Sequence, residues 1–195
     1  MKKILIITAN PSSQGFTHQI AEKYSQVSKN LNAQVEILDL YKSENTQEYL
    51  QYENIRTDWP NDEKIKSMQE KITNADELVF VAPVWWGSVP AVMKNFIDVN
   101  FQAGFAFNYG KNGKVEKLLI WKKATLFMTC DAPGFIYKYL PFMISLKWYF
   151  GTNILGFCGI KLTKFHLFDH MHKHKKSQES IDKLLNIVEK LAKKS

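Results

Sequence analysis

Residues 75–98, ADELVFVAPVWWGSVPAVMKNFID, decide the fold. An apolar run over residues 78–82 stops at Pro83, and a loop carrying Val84, Trp85, Trp86 and Gly87 follows. Beyond Ser88 and Pro90, the residues Val92, Met93, Phe96 and Ile97 recur at helical spacing. That order is strand, loop, helix. In an open α/β sheet, ligands bind at the loops on the carboxyl ends of the strands. Two adjacent tryptophans at such a place offer a flat, polarisable wall to a planar heteroaromatic ring. Paired tryptophans beside a strand are otherwise core or interface residues, so the wall needs support from the rest of the chain.

Toward the amino terminus, residues 2–9, KKILIITA, form a continuous apolar run after two lysines, as expected of a strand buried on both faces of a parallel sheet. The polar loop Asn10, Pro11, Ser12, Ser13, Gln14, Gly15 breaks it. From Phe16 and Thr17 onward the pattern is helical, with Ile20, Tyr24, Val27 and Leu31 on one face. A helix amino terminus has unpaired N–H groups and a partial positive charge, so this loop has the composition to hold a phosphate. It has neither GxGxxG nor GxxxxGK[ST] spacing, and by itself it reads rather as a polar turn with a helix cap. A second strand is expected at residues 35–40, then a polar, partly helical excursion over 41–63, and a second helix from about Asp62 to Thr73.

Toward the carboxyl terminus, GFAFNYG at 104–110 and the glycine at 113 suggest a hairpin-like insertion ending near Trp121. A fourth sheet strand over 124–129 leads into Cys130, Asp131, Ala132, Pro133 and Gly134. The aromatic stretch 135–157 should be partly helical, resuming near Asn153, and a fifth strand should run from about Gly159 to Phe168. Ser177 is placed to cap a last helix whose stripe is Ile181, Leu184, Leu185, Val188 and Leu191. Five strands alternating with helices make a doubly wound α/β domain. The order 2-1-3-4-5 would bring the loops after strands one, three and four to one rim.

Composition narrows the function. With 195 residues, 45% of them hydrophobic, the chain suits one domain. No apolar run approaches the ~20 residues of a bilayer span, and the first apolar stretch is too short for a signal peptide, so a cytoplasmic protein without an integral membrane segment is expected. Five of the seven net positive charges lie in residues 161–195, and Arg56 is the sole arginine. Phosphate and base-edge readers lean on arginine forks, so no nucleic-acid partner is expected. Cys130 and Cys158 stand apart in apolar surroundings and read as small buried hydrophobes rather than a disulfide or nucleophiles. His166, His170, His172 and His174 invite a metal, but lysines 173, 175 and 176 surround them, and the reading is a solvated, pH-sensitive loop with no metal.

The stretches PVWWGSVPAVMKNFID at 83–98, GFAFNYG at 104–110 and FGTNILGFCGIK at 150–161 resemble, in order and spacing, the flavodoxin-like NAD(P)H:quinone oxidoreductases. The resemblance spans essentially the whole chain, and the first stretch is the specific one. It implies a flavodoxin-like flavoprotein, using FMN or alternatively FAD, that takes a hydride from NADH or NADPH and passes two electrons to a quinone or similar small-molecule acceptor, as a homodimer. It implies flavin contacts from Pro83, Val84, Trp85, Trp86 and Gly87. Asn10, Ser12, Gln14, Phe16 and Thr17 would hold the phosphate end, with Thr129, Cys130, Asp131 and Ala132 on the third loop. Tyr137 would stand near the nicotinamide and the acceptor. The alternative is an electron-carrier or regulatory flavin module without efficient NAD(P)H turnover.

The departure from the family lies in that third loop. A Thr-Thr-Gly-Gly type turn is replaced by Thr129-Cys130-Asp131-Ala132-Pro133-Gly134. A carboxylate and a fixed-φ proline stand where a flexible glycine pair is common. Asp131 would act electronically if ionised beside the ring. As the cap of a turn, the preferred reading, it would not.

Overall fold

The computed structural model describes residues 1–52, 54, 59–110, 113–136, 146–174 and 177–194. Five parallel strands form the central sheet in the order β2-β1-β3-β6-β7. They are β1 (Lys3–Thr8), β2 (Gln34–Asp39), β3 (Glu77–Pro83), β6 (Lys123–Thr129) and β7 (Lys161–Phe168). The expected 2-1-3-4-5 order is met once the small antiparallel hairpin β4 (Phe107–Tyr109) and β5 (Val115–Lys117) is set aside as the insertion.

Strand alternation divides the core into two layers. Ile4, Ile6, Val79, Val81 and Phe127 face α1 (Phe16–Asn30) and α6 (Gln178–Ala192). Leu5, Ile7, Leu78, Phe80 and Leu126 face the opposite layer, with Met68 and Ile72 of α2 (Glu63–Asn74) and Met93 and Phe96 of α3 (Ala91–Asn100). Phe150 and Leu155 join that layer from α4, a helical segment that opens at Leu146–Trp148, widens into a π-helix over Tyr149–Leu155 and closes at Gly156–Cys158. Each strand of the sheet's middle is buried on both faces, which is why β1 and β3 read as unbroken apolar runs.

Helix ends follow their caps. Asp62 accepts a hydrogen bond from Ile65 N–H to start α2, and Ser177 accepts one from Ser180 N–H to start α6. Among the described residues of the 41–63 excursion no helix precedes α2, and its turns are held by Asn45 and Thr46 bonding back to Asp39 and Lys42; residues 53 and 55–58 lie outside the described residues. Among the described residues no helix is long and apolar enough to cross a membrane.

At the amino-terminal end of the sheet, Glu77 is almost wholly buried in β3. It accepts hydrogen bonds from Lys2 Nζ (2.6 Å), Thr125 Oγ1 (2.7 Å) and Tyr24 OH (3.0 Å). Burial alone would push its carboxyl up, but the Lys2 and Thr125 hydrogen bonds, with the charges of Lys2 and Lys164, outweigh it and hold Glu77 below the usual carboxylate range. Nearby, the buried Lys122 ammonium donates to the carbonyls of Thr73 and Ala75 at 2.9 and 2.6 Å.

Candidate active site

Three loops leave the carboxyl end of the sheet side by side, and sheet hydrogen bonding continues past the strand ends to fix their roots. Ala9 N–H donates to Val81 O, Val84 N–H to Thr129 O, and Cys130 N–H to Phe168 O, at 3.1, 2.8 and 2.8 Å. Between them lies a cavity of about 470 Å³. A cavity of this size falls within the range of small-molecule and cofactor sites. A slightly larger hollow of about 500 Å³ is lined by residues 46–51, the start of α2 and Val99, and none of the three loops reaches it.

The first wall is donor-rich. Asn10, Ser12, Gly15, Phe16 and Thr17 line it. Asn10 Oδ1 accepts from Ser12 N–H at 3.0 Å and so curls the loop. Gly15 sits where a Cβ would lie 2.9 Å from Asn10 Nδ2 and 3.0 Å from Ser12 O, so a larger residue would force the Asn10 side chain and the Ser12 carbonyl to shift. The fifteen-residue helix α1 then starts with no side-chain cap and no acidic residue in its first turn. The Thr17 hydroxyl, inside that first turn, is buried and has no hydrogen-bond partner. An unpaired buried hydroxyl costs ~1–3 kcal/mol, which an acceptor on a ligand would relieve. Thr8 Oγ1, His18 Nδ1 and Ser28 Oγ are also buried and unpartnered, but none of these residues lines the cavity. Uncapped N–H groups, a free hydroxyl and a positive helix end together suit a phosphate.

The second wall is Pro83, Val84 and Trp85. Trp85 and Ser88 exchange two backbone hydrogen bonds, N–H to O at 2.8 and 2.9 Å. The two residues between them, Trp86 and Gly87, have φ of 51° and 73°. This is the geometry of a type I′ turn, and it separates the two tryptophans. Trp85, 42% exposed, borders the cavity; Trp86 is fully exposed at the turn's apex. Trp86 and Gly87 are therefore not among the cavity-lining residues, and neither is Gln14, whose exposed side chain precedes the tight Gly15 turn.

The third wall is Thr129, Cys130, Asp131 and Ala132, joined by Met171, which no local sequence pattern marks. Asp131 Oδ1 accepts from the backbone N–H of His172 at 2.7 Å, so its carboxylate caps α5 (Met171–His174) rather than the turn that follows it. Burial, reinforced by the carboxylates of Asp169 and Asp131, pushes the Cys130 thiol up to about 11, and its Sγ–H donates to Ala132 O. Burial pushes Cys158, remote from the site, up to about 12. Both cysteines behave as the small buried hydrophobes expected of them.

The histidines do not form the uniform solvated loop that the sequence suggests. His166 lies on β7, half-buried against the Phe168 ring at 4.4 Å, and burial lowers its pKa against the pull of Asp169. His170 and His172 stand near Asp169 and Asp131, at 4.0 and 3.8 Å. Among the described residues no group of three or more histidines, cysteines or carboxylates is placed to hold a metal. Tyr137 lies outside the described residues.

The sequence profile of the flavodoxin-like fold family matches residues 2–192. The chain belongs to that family. Among its flavodoxin-like relatives, the FMN-dependent NADH:quinone oxidoreductase of Caldicellulosiruptor bescii is 35% identical over 172 residues, 83% of each chain. An uncharacterized NAD(P)H oxidoreductase of Haemophilus influenzae is 31% identical over 173 residues, 86% of this chain and 84% of that one. The crystal structure of Smu.1420 from Streptococcus mutans UA159 superposes with a TM-score of 0.85 at 30% identity, covering 99% of this chain and all of the other. The five-stranded parallel sheet with its flanking helices is thus this chain's flavodoxin-like fold.

Proposed function

We propose that this chain is an FMN-dependent oxidoreductase that carries a hydride's two electrons from NADH, or NADPH, to a quinone or similar two-electron acceptor, within one flavodoxin-like domain. The activity rests on the relatives that bear it as a name. The observation in this chain that carries the reading is the orphaned Thr17 hydroxyl in the uncapped first turn of α1, on the wall of the rim cavity. Bound FMN would supply the redox chemistry, taking the hydride and giving two electrons up again.

The protein's share is binding, orientation and electrostatics. Thr17 and the first-turn N–H groups, with Asn10, Ser12 and Phe16, receive the phosphate, and Gly15 lets the backbone approach it. Pro83, Val84 and Trp85 lie along the ring system. Thr129, Cys130, Asp131, Ala132 and Met171 close the third side with backbone polar groups and one apolar side chain. The remaining residues of the resemblance, Gln14, Trp86, Gly87 and Tyr137, are assigned to the cofactor or the acceptor on that likeness alone. Exposed Tyr109, Ile120, Trp121 and Trp148 provide apolar surface for a second copy, which supports a homodimer. A cytoplasmic location and a small-molecule acceptor complete the proposal.

The test is direct. The purified protein should be yellow, bleach anaerobically on adding NADH, and recover its colour with menadione. Heat-released flavin should weigh as FMN rather than FAD. A yellow protein that neither NADH nor NADPH bleaches would indicate the carrier or regulatory module instead, and a colourless one that rejects added flavin would refute both readings.

A further inference from the structure

The third wall of the cavity is stitched to the turn after β7 by bonds that cross. Past the strand ends, Met171 N–H donates to Cys130 O at 3.1 Å, extending the pairing already made by Cys130 N–H and Phe168 O. Two carboxylates then reach in opposite directions. Asp131, on the β6 turn, accepts from His172 N–H at 2.7 Å; Asp169, on the β7 turn, accepts from Gly134 N–H at 2.8 Å. Each turn therefore holds the other's backbone through a charge-assisted bond, the stronger class of hydrogen bond. The second bond depends on residue 134 being glycine, because a Cβ there would lie 2.8 Å from Asp169 Oδ2. Inside the turn, Cys130 Sγ–H donates to Ala132 O at 3.2 Å.

We propose that Asp169 is a positioning residue for the oxidoreductase reaction: through Gly134 it locks the Asp131–Gly134 turn in its ligand-receiving position before any ligand arrives. Asp169 does not itself line the cavity, whereas Cys130, Asp131, Ala132 and Met171, the residues its bond holds in place, all do. Sites whose walls are already ordered bind more tightly, because the ordering cost is not charged to the ligand. This chain has a turn pinned at both ends.

The inference rests on the flavin reading above, and the experiment separates the two. Flavin-stripped protein is titrated with FMN while flavin fluorescence is followed, and amide exchange at Gly134 and His172 is measured by NMR without flavin. In the wild type both amides should be protected. Asp169→Ala should release Gly134, weaken FMN binding about tenfold and raise the KM for menadione with kcat within about twofold. Asp169→Asn keeps an acceptor oxygen and should recover most of the affinity. Gly134→Ala should reproduce Asp169→Ala with the carboxylate intact, and serves as the test if Asp169→Ala fails to fold. Glu189→Gln, remote from the site and paired with Lys23 and Lys193, should lower the melting temperature slightly and leave the FMN affinity alone. Wild-type protein that binds no FMN would bring down the functional reading. Wild-type protein that binds FMN while Asp169→Ala binds it within twofold, or an unprotected Gly134 amide in the wild type, would overturn the role of Asp169 alone.

Discussion

The two ends of the sheet treat polar groups in opposite ways. At the amino-terminal end, buried Glu77 accepts hydrogen bonds from Lys2 just ahead of β1, Tyr24 of α1 and Thr125 of β6, and buried Lys122 donates to two carbonyls. At the carboxyl end, Thr17 is buried without a partner, α1 begins uncapped, and Trp86 is held at positive φ. Satisfied groups stabilise the fold, and unsatisfied or strained ones at a cavity are held in reserve for something that binds. The amino-terminal end is finished at Glu77 and Lys122, with Ser28 Oγ near the start of β2 its unpaired exception, and the carboxyl end is left to be completed by a ligand.

The largest effect that sharpens this contrast belongs to the finished end. Glu77→Ala removes the acceptor shared by Lys2, Tyr24 and Thr125 and should cost about 3 kcal/mol, seen as a melting temperature lower by roughly 6–12 °C, with the FMN affinity of the folded protein unchanged. A pH series adds the sign. Because the Glu77 carboxyl is held below its unfolded value of 4.5, its contribution is complete above that pH and is lost as pH falls through the folded value. Glu77→Gln should accordingly flatten the acid limb of the stability curve.

At the open end the order of effects reverses. Thr17→Val should leave thermal stability unchanged or slightly higher, while weakening FMN binding by about 2 kcal/mol, roughly thirtyfold, measured by fluorescence titration. A loss of stability without a loss of affinity would mean that the hydroxyl belongs to the core. Trp86→Asn should raise stability by about 1 kcal/mol in urea denaturation, since asparagine tolerates the left-handed region and Asn-Gly is the favoured pair for this turn. The smallest effect is expected of Asp131→Asn. An exposed carboxylate already bonded to His172 N–H should shift the flavin potential by less than ~30 mV, the equivalent of 1.4 kcal/mol for a two-electron couple.

The same contrast separates what the chain's sequence discloses from what it does not. Strand order, the hairpin, the start of α2 near Asp62 and the cap at Ser177 follow from apolar spacing and local residue chemistry, which act over a few positions. Eleven of the residues expected at the cofactor line the cavity because topology alone brings the three loops together. The division between Trp85 and Trp86 was within reach, since Gly87 is a marker for a two-residue turn. The crossed bonds of Asp131 and Asp169 span 41 and 35 positions, and the partners of Glu77 up to 75, so no local pattern announces them. Met171 enters the cavity only because α5 folds back under Cys130 O, a contact with no signature in its own neighbourhood.

The raised thiol of Cys130 has a consequence for a site proposed to receive quinones. Quinones are electrophiles that add to thiolates, so a cysteine in the wall of their binding cavity is exposed to alkylation by every molecule that is not reduced in time. With its pKa at about 11, the side chain is a thiolate in only about one molecule in ten thousand at pH 7. The two carboxylates that pin the neighbouring turns also help hold the proton on this sulfur, so the wall resists the reactivity of the acceptor proposed for it.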